Sequence, residues 1–179
     1  MNNYLYLNKQ QLILSLRHNI LKQNRIDRIV KRISFQIHEK NQNSSEVVLI
    51  GVLKNGFILS ELIEKELKKI SKSEVKLFSI KINKKNPLNP IELNCDLSEL
   101  KNKSIVLIDD VLNSGKTLIY CVKYLLEVPI SNFNTAVLID RNHKKFPIKI
   151  DFKGISLSTS IKENVTVVFG NKNSHAFID

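Results

Sequence analysis

The densest chemistry in this chain lies at Asp109-Asp110, two adjacent acids that follow the apolar run Ile105-Val106-Leu107-Ile108 and precede Asn113-Ser114-Gly115-Lys116-Thr117. Such a run reads as a strand buried on both faces, so the acids emerge at its carboxyl end. The small-residue turn then opens a helix over residues 118–126, and the first amides of a helix lack partners within it. Those free N–H groups form an anion site, to which Ser114 and Thr117 add hydroxyl donors. Carboxylates repel phosphate, so Asp109 and Asp110 must serve some other part of a ligand. Vicinal sugar hydroxyls, or a magnesium ion carried by the substrate, meet that need.

Two other readings compete with this one. Gly115-Lys116-Thr117 copies the end of a P-loop, but that motif requires a glycine where Asp110 stands, which disfavours triphosphate hydrolysis. Alone, an Asp-Asp pair would more often be acids at a helix start. The upstream strand and the Ser-Gly-Lys-Thr turn make a ligand site the more specific reading.

A second candidate loop, Gly51-Val52-Leu53-Lys54-Asn55-Gly56-Phe57, follows the apolar run Val47-Val48-Leu49-Ile50. Its flanking glycines permit unusual backbone angles and close approach of N–H groups to an anion. By itself it would be an ordinary strand-to-helix turn more often than not.

The elements that must position these loops follow from periodicity. Ile26, Ile29, Val30, Ile33 and Ile37 fall on one face of a helix expected over residues 20–40, with Arg25, Arg28, Lys31, Arg32 and Lys40 on much of the rest. Strands are expected over residues 47–50, 75–82, 104–108, 135–139 and 165–169, with a helix over 58–70. Residues 83–102, polar and carrying Pro87 and Pro90, read as a long loop or arm. The stretch from Arg141 to about residue 162 reads as irregular and basic. Alternating strands and helices imply an α/β fold with a mainly parallel sheet, in which ligands bind beyond the carboxyl ends of the strands.

Composition narrows the setting. With 179 residues, 42% hydrophobic and 25% charged, the chain is sized for one globular domain with its own core. No apolar run is long enough for a bilayer, and the first residues lack the pattern of a secretory leader. Cys95 and Cys121 give neither a disulfide framework nor metal-ligand spacing, so reduced thiols and a cytoplasmic location are expected. The formal charge of +11 suits an anionic partner, phosphorylated substrate or nucleic acid alike. Lysines spread along the chain by biased composition explain it equally well.

The apolar run, the acid pair and the small-residue turn together resemble the phosphoribosyl pyrophosphate (PRPP) motif of type I phosphoribosyltransferases. The resemblance implies that Asp109 and Asp110 hold the ribose hydroxyls and that Asn113, Ser114, Gly115, Lys116 and Thr117 wrap the 5-phosphate. It makes Leu53, Lys54, Asn55 and Gly56 the pyrophosphate loop, with Lys84 and Lys85 able to add positive charge. The family's hypoxanthine-guanine members carry a non-proline cis peptide in that loop, so one is expected at Leu53–Lys54 or Lys54–Asn55.

The stretch from Asp140-Arg141-Asn142-His143 through Phe146-Pro147-Ile148 to Asp151-Phe152-Lys153-Gly154 is similar to the bifunctional pyrimidine-operon attenuator/uracil phosphoribosyltransferases. That branch implies one domain over residues 1–179 with a small C-terminal hood roughly over 140–164. It places Asp140 and Arg141 at the nucleobase pocket. His143 reads as a structural histidine more readily than as a general base.

What the resemblance implies is transfer of ribose 5-phosphate from PRPP to a nucleobase, uracil first, with Mg2+ arriving on the substrate. The alternative is a uridine-nucleotide-sensing, RNA-binding regulator, with Arg25, Arg28, Arg32, Lys144, Lys145 and Lys153 as its candidate surface. A partner subunit that kept the fold and lost the chemistry is a third reading. The family implies a homodimer or larger homo-oligomer. Two departures stand out: Asn113 occupies the place of an Asp in the hypoxanthine-guanine enzymes, and Asn83-Lys84-Lys85-Asn86-Pro87 replaces a Tyr-Arg-Asp-Asp-like arm.

Overall fold

The structure, a computed structural model, describes residues 18–158, 160 and 163–179. The reading of the chain's first residues therefore lies outside the described ones. Among the described residues, nine strands and three α-helices follow in the order β1 (His18–Lys22), α1 (Gln23–Lys40), β2 (Glu46–Val52), α2 (Asn55–Ile70), β3 (Glu74–Lys81), β4 (Glu92–Leu93), β5 (Ser104–Leu112), α3 (Lys116–Leu125), β6 (Asn132–Asp140), β7 (Phe152–Ser156), β8 (Val165–Val168) and β9 (His175–Ile178).

The central sheet has the order β4-β3-β2-β5-β6-β7. Every neighbouring pair is parallel except β3 with β4. Parallel strands covered on both faces must be apolar throughout, and β2 and β5 obey this. Val47 through Ile50 and Ile105 through Ile108 are all buried. Leu49 pairs with Val106 and Ile50 with Leu107, which holds the two strands in register up to their carboxyl ends.

Side-chain alternation sends the two halves of each strand to different layers. Leu49, Val106 and Ile108 pack with Ile26, Ile29, Ile33 and Ile37 of α1 and Leu59, Ile63 and Leu67 of α2. Ile50, Ile105 and Leu107 pack instead with Leu118, Cys121 and Leu125 of α3. Each fully buried aliphatic side chain contributes about 1.5–3 kcal/mol, so helical spacing on α1 fixes which face turns to the sheet. Asn41 ends that helix: its side-chain amide donates to Ile37 O at 2.7 Å, and its own N–H reaches the carbonyls of Ile37 and His38.

The chain runs from β2 through α2 to β3 on one side, then returns past β2 to β5 on the other. The β2–β5 boundary is therefore the topological switch point, where the loops after adjacent strands diverge and leave a crevice. Both candidate loops flank it.

Several expectations need correction. Residues 18–22 form a strand rather than the start of the first helix, because they pair antiparallel with β9 at the far end of the chain. No local pattern encodes that pairing. The stretch read as irregular contains β7, an edge strand on β6, and β9 escaped notice altogether. Both are short and mixed in composition, as edge strands often are. A small second sheet, order β1-β9-β8, is built from the two ends of the described chain. The polar arm at 83–102 is not structureless: β4 pairs with β3, and Asp96 with Glu99 forms a capping box on a 3-10 turn over Leu97–Leu100.

Candidate active site

At the end of β5 the two acids separate by strand alternation. Asp109 continues the face of Ile105 and Leu107, toward α3, and is only 3% exposed. Asp110 continues the opposite face, half-buried, and its Oδ2 accepts from the Asn55 side-chain amide at 2.9 Å. The same amide donates to Val167 O of β8 at 3.0 Å. Asn55 thus joins the loop after β2, the acid pair after β5 and the small sheet.

The loop after β2 contains a cis peptide at Leu53–Lys54, as expected from the resemblance. Helix α2 begins at Asn55, so its first amides face the switch-point crevice. Gly56 makes the close approach possible: a Cβ there would lie 2.7 Å from Ile108 O and 2.9 Å from the Asp109 Cα, both backbone atoms that cannot give way. Leu53 and Lys54 are exposed at the rim.

Beyond Asp109, a cavity of about 80 Å3 is lined by Lys84, Asp109, Val111 through Ser114, Gly115, Lys116, Thr117 and Leu118. The turn that frames it depends on Gly115 at φ +82°, a left-handed conformation that glycine adopts without steric cost. Ser114 O accepts from the amides of Lys145 and Phe146 at 2.9 and 3.1 Å, which anchors the outer side of the turn. The inner side is left to the cavity.

Electrostatics at Asp109 are unusual. Burial pushes its carboxyl up to about 8; Lys84, with Nζ 3.7 Å from Oδ1, pulls the other way, and the neighbouring Asp110 adds to the rise. Cys121, below it on α3, is pushed up to about 12 by burial and stays a thiol, so it is no nucleophile.

The remaining candidates divide. Arg141, 7% exposed, donates to Asn113 Oδ1 at 2.6 Å and to the carbonyls of Ser160 and Glu163, while its own N–H reaches Leu112 O at 3.0 Å. It ties the start of the turn to the segment leading into β8. Asp140, 1% exposed, is occupied within the protein. Its carboxylate accepts from the Asn142 amide at 2.9 Å and pairs with Lys144 at 3.4 Å and Lys153 at 3.8 Å. Its carbonyl accepts from the Leu157 amide at 2.8 Å. Lys85 lies exposed on an Asx turn in which Asn83 Oδ1 accepts from the amides of Lys85 and Asn86. Sequence reasoning missed the Val167 carbonyl and the Ser160 and Glu163 carbonyls, since backbone acceptors brought in by the small sheet leave no side-chain signature.

A family model described as the phosphoribosyl transferase domain matches residues 17–170. A protein named Bifunctional protein PyrR from Clostridium beijerinckii is 33% identical over 162 residues, covering 86% of this chain and 91% of the relative. One of the same name from Ligilactobacillus salivarius is 31% identical over 150 residues, 78% and 84% of the two chains. Among solved structures, a hypoxanthine phosphoribosyltransferase from Staphylococcus aureus shares the fold with a TM-score of 0.69 at 20% identity, covering 83% of this chain and 80% of that one. The chain belongs to the phosphoribosyltransferase family, and within it resembles the proteins named Bifunctional protein PyrR.

Proposed function

We propose that the protein transfers ribose 5-phosphate from PRPP to a nucleobase, with uracil the first choice, and releases pyrophosphate. One observation carries the reading: at a single switch point, a cavity framed by turn amides sits beside a carboxylate pair and the start of α2. Each of the three suits a different part of PRPP.

On this reading the amides and hydroxyls of Asn113, Ser114, Gly115, Lys116 and Thr117 take the 5-phosphate. Asp109 and Asp110 accept from the ribose hydroxyls. Leu53, Lys54, Asn55 and Gly56, with the amides at the start of α2, receive the pyrophosphate, and Lys85 adds charge at the rim. The C1–O bond to pyrophosphate breaks as a ring nitrogen of the base forms the new C1–N bond, and the proton from that nitrogen leaves to solvent or pyrophosphate. No protein nucleophile is needed. The protein's share is alignment of the reacting atoms and stabilisation of the departing anion. Asp109 and Asp110 supply the hard oxygen donors that magnesium prefers. Among the described residues no three His, Cys, Asp or Glu side chains converge as a metal site, and on this reading the ion arrives with the substrate.

A panel of nucleobases with PRPP and magnesium tests the proposal. Formation of uridine monophosphate and pyrophosphate is expected. No product from uracil, hypoxanthine or guanine would remove the enzymatic reading.

A second reading draws on the relatives' printed name, which describes them as bifunctional, and on the exposed basic residues Arg25, Arg28, Arg32, Lys144, Lys145 and Lys153. The same pocket would sense a uridine nucleotide while that surface holds RNA. RNA affinity that falls steeply with salt and responds to uridine nucleotides is its signature; indifference to both would exclude it.

A further inference from the structure

The pairing of Lys84 with Asp109 does not fit a lysine that serves only pyrophosphate. Lys84 follows β3, two strands from β5, and its side chain passes the end of β2 to line the cavity under the turn. The loop that would hold pyrophosphate also meets the acid pair, Asn55 at Asp110 Oδ2 and Gly56 against Asp109, but none of its residues 53–56 lines this cavity. Position therefore separates Lys84 from Lys85, its neighbour in sequence, which is absent from the cavity wall.

The cavity poses an electrostatic problem that Lys84 solves. Its volume of about 80 Å3 holds roughly two to three waters' share of liquid, the scale of a phosphoryl group. One wall is the buried carboxyl of Asp109. A phosphate brought against that carboxyl in a partly buried space is repelled by whatever negative charge the acid carries, and turn amides alone do not shield one from the other. Lys84 Nζ stands 3.7 Å from Asp109 Oδ1, near enough for attraction and too far to be a committed hydrogen bond. The lysine side chain is 51% exposed, so it can swing without disturbing the core. Among the described residues, Lys84 is the cation paired with Asp109.

Building on the functional reading above, we infer that Lys84 is a ligand of the 5-phosphate, seated between that phosphate and Asp109, rather than of the pyrophosphate. The arm that carries it then closes over the phosphoribosyl end of the substrate. Before substrate arrives, the ammonium group holds the place next to Asp109. When the phosphate enters, the same group bridges it and the Asp109 carboxyl.

Calorimetric titration of ribose 5-phosphate and of pyrophosphate, each alone, into the intact protein and its K84M and K85M variants separates the possibilities. K84M is expected to weaken ribose 5-phosphate by about tenfold or more, the scale of a lost charge-assisted hydrogen bond, and pyrophosphate by less than about twofold. K85M is expected to leave ribose 5-phosphate within about twofold. The inference is overturned if K84M spares ribose 5-phosphate, or weakens both ligands alike, or if K85M weakens ribose 5-phosphate as much as K84M does. If the unaltered protein binds neither ribose 5-phosphate nor PRPP, the functional reading itself fails and takes this assignment with it. Binding of PRPP with ribose 5-phosphate affinity indifferent to K84M defeats the assignment alone.

Discussion

The side-chain amide of Asn55 lies 2.9 Å from Asp110 Oδ2 and 3.0 Å from Val167 O, so one residue holds an acid of the candidate site and the edge of the small sheet together. The loop after β2, the end of β5 and β8 are far apart in sequence and have few other reasons to share a corner. An amide suits the position because both of its N–H groups find acceptors. Asn55→Ala removes both bonds and frees the Asp110 carboxylate to rotate. Loss of a hydrogen bond to a charged group is worth about 1.5–3 kcal/mol, so PRPP affinity should fall by about tenfold or more. Unfolding should move down by only a few degrees. An unchanged PRPP affinity would show that Asp110 needs no holding.

Asp109 predicts a stability profile. Its carboxyl titrates in the folded chain near 8, well above the ordinary value of 3.8, because burial disfavours the charge. Between those values the folded state binds more protons than the unfolded one, so stability falls as pH rises. Lys84 opposes the shift from the arm, Asp110 adds to it from the same strand, and Cys121 lies below on α3 as a protonated thiol. Asp109→Asn abolishes the titration. In the ligand-free protein, with chelator present, the variant should be little different from wild type at pH 4 and increasingly more stable than it as pH rises to 8. The gap in Tm between the two proteins should widen accordingly across that range. The same variant should lose PRPP binding. Thermal scans at pH 4, 6 and 8 check this, and parallel pH profiles for the two proteins would contradict it.

Much of the corner was legible beforehand, for physical reasons that differ from residue to residue. Ile105 through Ile108 had to be a buried strand because four consecutive apolar side chains need cover on both faces, and Asp109 and Asp110 had to follow at its end. Gly115 before Lys116 marked a turn into a helix. By contrast, β1 and β9 exist because they pair with each other across the whole described chain, and neither His18 nor His175 carries a local trace of that. Arg141 was expected at the base pocket from the resemblance; its partners on the protein include carbonyls and Asn113, supplied by tertiary contacts no spacing reveals. The separation of Lys84 from Lys85 likewise follows from an Asx turn and a strand order rather than from composition.

Gly56 and Gly115 should fail in different ways. Gly56→Ala forces a methyl against the backbone of Ile108 and Asp109, so α2 must back away from β5 and widen the crevice. Gly115→Ala meets the Ile148 Cγ2 methyl at 2.7 Å and carries the cost of a positive φ. The second costs about 1–2 kcal/mol in stability and should act mainly on the turn. Ribose 5-phosphate affinity is then expected to fall in Gly115→Ala with pyrophosphate affinity unchanged. Gly56→Ala should weaken both. Identical effects on the two ligands from Gly115→Ala would show that the turn does not serve the sugar-phosphate separately.

Asn113 and Arg141 offer a test in which stability and binding move in opposite directions. Arg141 donates to Asn113 Oδ1 at 2.6 Å and is only 7% exposed. Asn113→Asp keeps the acceptor oxygen and its position while giving the guanidinium a charged partner. Charge-assisted bonds of this kind are roughly twice as strong as neutral ones, so the folded protein should gain about 1 kcal/mol near neutral pH. That gain should fade in acid as the new carboxylate protonates. At the same time the substitution adds a negative charge to the turn proposed to hold the 5-phosphate. Ribose 5-phosphate affinity should therefore drop by about tenfold, while the Arg141 contacts to Ser160 and Glu163 persist. Paired measurements of Tm and ligand affinity decide the matter: a variant that is both more stable and as tight a binder would place the 5-phosphate away from Asn113.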